Sequence, residues 1–242
     1  MKIKYFTLPN ILTLCNLLCG TVATLLTISH IWAPAEAPLT LPIVFIAASA
    51  LFDFCDGFAA RLTGQYSALG VQLDSLADMV SFGVTPAMIL VALFNDTQGE
   101  GWWWIVCLGV ALCSALRLAR FNIDEEQHES FIGLPTPALA IAVGSLAWAF
   151  QQGEVVLNPS IVLAISVVSA WLLISPIKMF SLKFKGFSMA NTTNRVRYMF
   201  LLASLVILIV GGVGAAWWII VLYILISLIL QIVGRDKKTG NA

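Results

Sequence analysis

The chain has 242 residues, of which 60% are hydrophobic and only 11% charged, and its thirteen Lys and Arg balance thirteen Asp and Glu. Soluble globular domains carry about 25% charged residues, so this composition excludes a water-soluble globule and suits the bilayer as solvent. Zero net charge gives no electrostatic basis for a nucleic-acid partner.

A helix needs roughly 20 apolar residues to cross the hydrocarbon layer. Apolar runs bounded by Gly and Pro predict eight spans, near 8–31, 40–61, 69–94, 102–121, 136–152, 159–180, 195–211 and 215–233. The expected fold class is all-α, a polytopic membrane helix bundle of about eight transmembrane helices. The first run follows Lys2 and Lys4 as a signal peptide would. It continues to about Trp32 without a small-residue cleavage site, and so reads as the first span. Cys15, Cys19, Cys55, Cys107 and Cys113 sit inside apolar runs with no Cys-x-x-Cys pair, and read as buried free thiols. The run Gly211 to Gly214 predicts a tight turn between the last two spans.

Loop charge orients these spans. With the N-terminus inside, all thirteen Lys and Arg fall in inside segments or at the helix ends facing them, whereas the outside loops hold Glu36, Asp96, Glu100 and Glu154. A Lys/Arg bias of this kind sets orientation, which places both termini in the cytoplasm. Trp32, Trp102 to Trp104 and Trp217-Trp218 cluster at outer ends, where indoles anchor at the interface.

Four acids break the apolar background. Asp53 and Asp56 are three apart near the inner end of the second span, and Asp74 and Asp78 are four apart early in the third. Either spacing puts both carboxylates on one helix face, and the short connecting loop makes the two helices antiparallel neighbours. An intramembrane Asp costs roughly 2.5–3.5 kcal/mol, and four converging ones also repel. Arg61 can neutralise at most one of them. Two divalent cations would balance all four, and carboxylate oxygens are the hard ligands that Mg²⁺ or Mn²⁺ prefers. Gly57 and Ala60 share a face with Asp53, and Gly70 lies one turn before Asp74, so a ligand can approach closely on both helices. Arg61, at the end of its span, is placed to clamp a phosphate. Metals, a phosphate clamp and small residues together describe a site for a nucleotide diphosphate.

The pattern Asp53-x2-Asp56-Gly57-x2-Ala60-Arg61-x8-Gly70-x3-Asp74-x3-Asp78 fixes eight positions in 26 residues and resembles the signature of the CDP-alcohol phosphotransferase family at each one. The resemblance implies a six-helix core, here residues 1–185, with residues 186–242 as a two-helix transmembrane extension. It implies a CDP-linked lipid donor, two divalent ions, and attack by an alcohol with release of CMP. It assigns Asp53, Asp56 and Asp74 to metal, Asp78 to metal and to general-base catalysis, and Gly57, Ala60, Arg61 and Gly70 to the CDP moiety. Pro9-Asn10-Ile11-Leu12-Thr13 is similar to the family's Pro-Asn opening and places Asn10 and Thr13 near the nucleotide. A homodimer is implied in the same way.

Three further stretches, Ser81 to Ala87, Arg117 to Asn122 and Gly133 to Pro137, resemble the membrane-bound phosphatidylserine synthases. They imply CDP-diacylglycerol as donor and L-serine as acceptor, in a bacterial inner membrane, with the active site cytoplasmic. Arg117 or Arg120 would hold the serine carboxylate bidentately, and Thr136 joins them as an acceptor-binding residue. Glycerol 3-phosphate or inositol phosphate are alternative acceptors, but each brings a phosphate that calls for a denser basic pocket. Aspartate-rich prenyltransferases lack the Asp-Gly-x2-Ala-Arg element. A divalent-cation transporter would place its acids near the midplane, often between inverted repeats. Asp124 to Glu126, His128 and Glu129 read as a solvated loop, and Lys183, Lys185, Arg195 and Arg197 as basic groups facing anionic headgroups or setting topology.

Overall fold

A computed structural model describes residues 5–123, 131–180 and 192–239. Lys2, Lys4, Asp124 to Glu126, His128, Glu129, Lys183 and Lys185 lie outside the described residues. Helix α1 spans Leu8–Trp32, started by Thr7, whose hydroxyl accepts from the Asn10 N–H, and by Pro9 in the first turn. Helix α2 spans Thr40–Thr63 and stops at Gly64, which takes the left-handed conformation at φ +64°. Ser67 then caps α3, Ala68–Asp78, its hydroxyl accepting the Gly70 N–H at 3.0 Å. These two caps produce the tight reversal that makes α2 and α3 antiparallel neighbours.

Helix α3 runs through a π-helical turn, Met79–Val84, into α4, Thr85–Asp96. A 3-10 segment, Gly101–Leu108, leads into α5, Gly109–Ile123. Helices α6, Thr136–Gln151, and α7, Pro159–Ile174, are followed by α8, Thr192–Gly211, and α9, Ala216–Thr239. Among the described residues, six helical stretches are long and apolar enough to cross a membrane. The chain is an integral membrane protein. Helices α6 and α7 have 16 residues each, about 24 Å at the α-helical rise, and are the two shorter apolar helices of the bundle.

Helix α4 is the central stave. Ile89, Leu90, Ala92 and Leu93 are fully buried, and α1, α5, α6 and α7 surround it. A helix apolar on every side belongs in such a core. At the acidic end, His30 of α1 binds the Ala37 carbonyl through Nδ1 and the Asp96 carboxylate through Nε2, tying the α1–α2 loop to the end of α4.

Two expectations need correction. The third span is not one uniform α-helix: Thr85 N–H bonds to Val80 O, five residues back, because Pro86 has no N–H to continue the regular ladder. The sixth span ends at Ile174 instead of 180, since Pro176 disfavours helix at the residue before it. The chain then extends into a strand, β2, Lys178–Met179, paired antiparallel with β1, Phe131–Ile132. This two-residue ladder is too short to leave a periodic signal. The turn at Gly212, φ +62°, and Val213–Ala215 lies where the glycine run places it.

Candidate active site

Helices α1, α2 and the π turn are stitched together at one backbone atom. The hydroxyls of Ser49 from α2 and Ser81 from the π turn each donate to the Asn16 carbonyl, both at 3.1 Å. The π turn fits against α1 because Gly20 has no side chain. A Cβ there would stand 2.7 Å from Ser81 Cα, closer than real contacts allow. On its other side Gly83 meets Ser114 of α5, with the built Cβ 3.0 Å from Ser114 Cβ. Ser75 and Asn122 exchange hydrogen bonds at 3.0–3.1 Å, joining α3 to α5 toward the end that carries the Lys and Arg residues.

This frame brings the four aspartates together. Oxygens of Asp53, Asp56 and Asp74 lie within 4.8 Å of one another. Asp53 is also within hydrogen-bonding reach of both Asp74 and Asp78. Asp56 and Asp78 are buried. Among the described residues, no Lys or Arg comes within ion-pair distance of these four carboxylates, the one such pair being His30–Asp96. Ligands on opposite sides of one hard cation stand twice the metal–oxygen distance apart, roughly 4–5 Å. The donor chemistry and spacing therefore fit divalent metal ions.

Two neighbours orient the acids. Thr13 Oγ1 lies 2.6 Å from Asp56 Oδ2 and 3.1 Å from Pro9 O, so its hydroxyl fixes the carboxylate against the start of α1. Asn16 Nδ2 donates to Asp78 Oδ1 at 3.2 Å, and its own Oδ1 is buried without a partner among the described residues. Asn16 escaped the sequence reading. The signal was its place one turn after Thr13, which sets it on the face that looks at the acids. Asn10 donates to Tyr5 O at 2.9 Å, and its Oδ1 is 3.2 Å from where a Cβ on Gly70 would stand. Gly70 thus keeps the start of α3 close to α1. Arg61 is exposed at the end of α2, with Nε donating to Gly57 O at 3.0 Å and the guanidinium lying over Gly57. Ala60 is half-buried one turn after Asp56.

The two arginines of α5 separate. Arg117 turns inward: Nη1 donates to Thr136 Oγ1 at 3.4 Å, and the guanidinium interacts through space with the Asp78 carboxylate. Its Nε is buried with no partner among the described residues. Thr136 is fully buried at the start of α6. Arg120 is exposed, yet lines the same cleft of about 230 Å³ with Arg117, Leu116, Ile132, Leu173 and Ile174. Arg197 is buried and bonds Asn194 Oδ1 at 3.0 Å.

The sequence model of the CDP-alcohol phosphatidyltransferase family matches residues 6–174 of this chain, including every residue of the acid cluster. The chain belongs to this family. The match stops at the end of α7, and α8 and α9 lie beyond it. The chain is 37% identical over 155 residues to a CDP-diacylglycerol–serine O-phosphatidyltransferase of Mycobacterium bovis, covering 61% of this chain and 51% of that protein. It is 34% identical over 173 residues to the protein of that name from Bacillus subtilis, covering 71% and 88%. An archaetidylserine synthase of Methanothermobacter thermautotrophicus is 32% identical over 146 residues, covering 59% and 58%. The chain thus spans about half the length of the mycobacterial relative and most of the Bacillus one.

Proposed function

We propose that this family member transfers the phosphatidyl group of CDP-diacylglycerol to the hydroxyl of L-serine, giving phosphatidylserine and CMP. The observation that carries the reading is the convergence of four carboxylates from two antiparallel helices with one inward arginine beside Asp78. Similarity to proteins named for this reaction supports serine as the acceptor.

Asp53, Asp56 and Asp74, with Asp78 at their edge, would hold two Mg²⁺ or Mn²⁺ ions. Bound there, the metal would neutralise the donor diphosphate and stabilise charge on the departing phosphate. Gly57, Ala60, Gly70 and Asn10 leave room for the CDP group, and Arg61 reaches its phosphate from the open end of α2. Asp78 takes the proton of the serine hydroxyl, held in orientation by Asn16. The serine oxygen forms a bond to the phosphorus that carries diacylglycerol, and the bond from that phosphorus to CMP breaks. Arg117 pairs with the serine carboxylate through its free donors, and Thr136 steadies the guanidinium. The cluster contains no Ser, Cys or His nucleophile, which favours direct attack over a covalent intermediate. The charge split of the loops supports a cytoplasmic site in a bacterial inner membrane, with N- and C-termini on the same side. A homodimer belongs to the same reading.

Purified protein in detergent, given CDP-diacylglycerol, L-serine and Mn²⁺ or Mg²⁺, should release CMP and lipid-linked serine in equal amounts. Asp78→Asn should abolish turnover by about three orders of magnitude or more while Mn²⁺ still binds, since the proton acceptor is lost and three ligands remain. CMP release that persists in Asp78→Asn would remove Asp78 from the chemistry.

A further inference from the structure

Beyond the stretch matched by the family, α9 carries two hydroxyls that grip the backbone of a single residue. Tyr223 OH donates to Phe180 O at 3.0 Å, and Phe180 N–H donates to Ser227 Oγ at 3.3 Å. Ser227 in turn donates to Tyr223 O at 2.8 Å, so the two side chains are one turn apart on one face and act on both sides of the same residue. Rings of Phe180, Phe200 and Tyr223 pack at 4.8–5.9 Å and fill the space between α8, α9 and the end of β2. Tyr223 and Ser227 are buried. In a membrane helix a buried hydroxyl without such a partner is costly, so this arrangement specifies where β2 must lie.

The consequences of fixing β2 reach the cleft. Phe180 directly follows Lys178–Met179, whose partner Ile132 lines the cleft with Arg117 and Arg120. The next residues are equally constrained. Gly133 N–H bonds Ile177 O at 2.9 Å and Leu134 N–H bonds Leu172 O at 2.9 Å. Gly133 has φ +77°, and a side chain there would collide with Leu173 O. Pro135 then delivers Thr136, which accepts from Arg117.

We propose that α9 supports the acceptor pocket from outside: Tyr223 and Ser227 clamp the Phe180 backbone, hold the β1–β2 ladder, and so position Ile132 and Thr136 around Arg117. Tyr223 is a positioning residue, acting on serine through Arg117 and Thr136. The inference rests on the reading of Arg117 as the carboxylate anchor, and its test separates the two.

Steady-state kinetics of the full-length protein would compare Tyr223→Phe, Ser227→Ala, Arg117→Lys and the Arg117→Lys/Tyr223→Phe pair, with thermal unfolding of each. Tyr223→Phe keeps the ring and removes one hydrogen bond, so KM for serine should rise roughly three- to tenfold. KM for CDP-diacylglycerol should hold, and the loss should fall on KM for serine more than on kcat. Ser227→Ala should move KM in the same direction, and the pair should be no worse than Arg117→Lys alone, because both act through one guanidinium. An unchanged serine KM in Tyr223→Phe and Ser227→Ala, or equal rises in both KM values together with a lower unfolding temperature, overturns the inference. If Arg117→Lys itself leaves the serine KM unchanged, the carboxylate-anchor reading fails and the inference with it. If Arg117→Lys raises it and Tyr223→Phe does not, only the role of α9 fails.

Discussion

Asp56 accepts a short hydrogen bond from a hydroxyl of α1, and that contact orients its carboxylate in the acid cluster. A carboxylate that must meet a metal works best when its second oxygen is already fixed, and loss of such an outer partner typically costs 10–100-fold in metal affinity or activity. Thr13 supplies the partner at 2.6 Å. Thr13→Val keeps the volume and the branched shape, so the Mn²⁺ concentration for half-maximal activity should rise about tenfold or more, read from a metal titration of CMP release. An unchanged titration would mean that Thr13 serves the nucleotide, as its motif implies, and not Asp56. The acids themselves were legible because four unpaired charges in an apolar chain have no cheap structural explanation. The residues that orient them were less so. Asn16 is a lone amide in a long apolar run, and only the fold places it beside Asp78. Arg117 and Arg120 were equivalent in sequence, and helix α5 had to be docked before one turned inward and the other stayed at the rim.

The elements follow apolar run length closely, so all eight helical stretches appear near their expected positions. Local irregularity follows packing instead. The π turn needs Pro86 to interrupt the ladder, but it also needs α1 and α5 to approach at Gly20 and Gly83, and neither approach is written in a hydropathy profile. The turn begins directly after Asp78, so its packing supports the site. Gly20→Val puts carbon where Ser81 already stands and should destabilise the protein by about 1–3 kcal/mol, the usual cost of overpacking. Thermal unfolding in detergent would register the loss. A variant as stable as the parent would show that α1 and the π turn have freedom to separate. The end of α7 was misplaced because the apolar run continues through Pro176 to Phe180, although the backbone leaves the helix at Ser175. The extended segment after it pairs through Lys178 with Ile132, which lines the Arg117 cleft.

Across the whole molecule, charge divides by side. Arg61, Arg117, Arg120 and Lys178 mark one end of the bundle, and Glu36, Asp96, Glu100 and Glu154 the other. The acid cluster lies toward the basic end, within about three turns of the α2–α3 link. In a cysteine-free background, Gln98→Cys in right-side-out vesicles should react with an impermeant thiol reagent, and Gln65→Cys should react only after the membrane is opened. The reverse pattern would place the site on the outer face. The extension α8–α9 packs on the bundle, and its Tyr223 bonds the Phe180 backbone just after β2. In the proposed reading Arg117, bonded to Thr136, takes the serine carboxylate, with Arg120 exposed at the edge of the same cleft, and a phosphate acceptor is disfavoured. A competition assay tests that claim most directly. Purified protein would receive CDP-diacylglycerol, Mn²⁺ and equal concentrations of L-serine, glycerol 3-phosphate and inositol phosphate, and the lipid products would be weighed by mass spectrometry. The account predicts phosphatidylserine as the product, matched by CMP, and a predominance of a phosphorylated-headgroup lipid would contradict it.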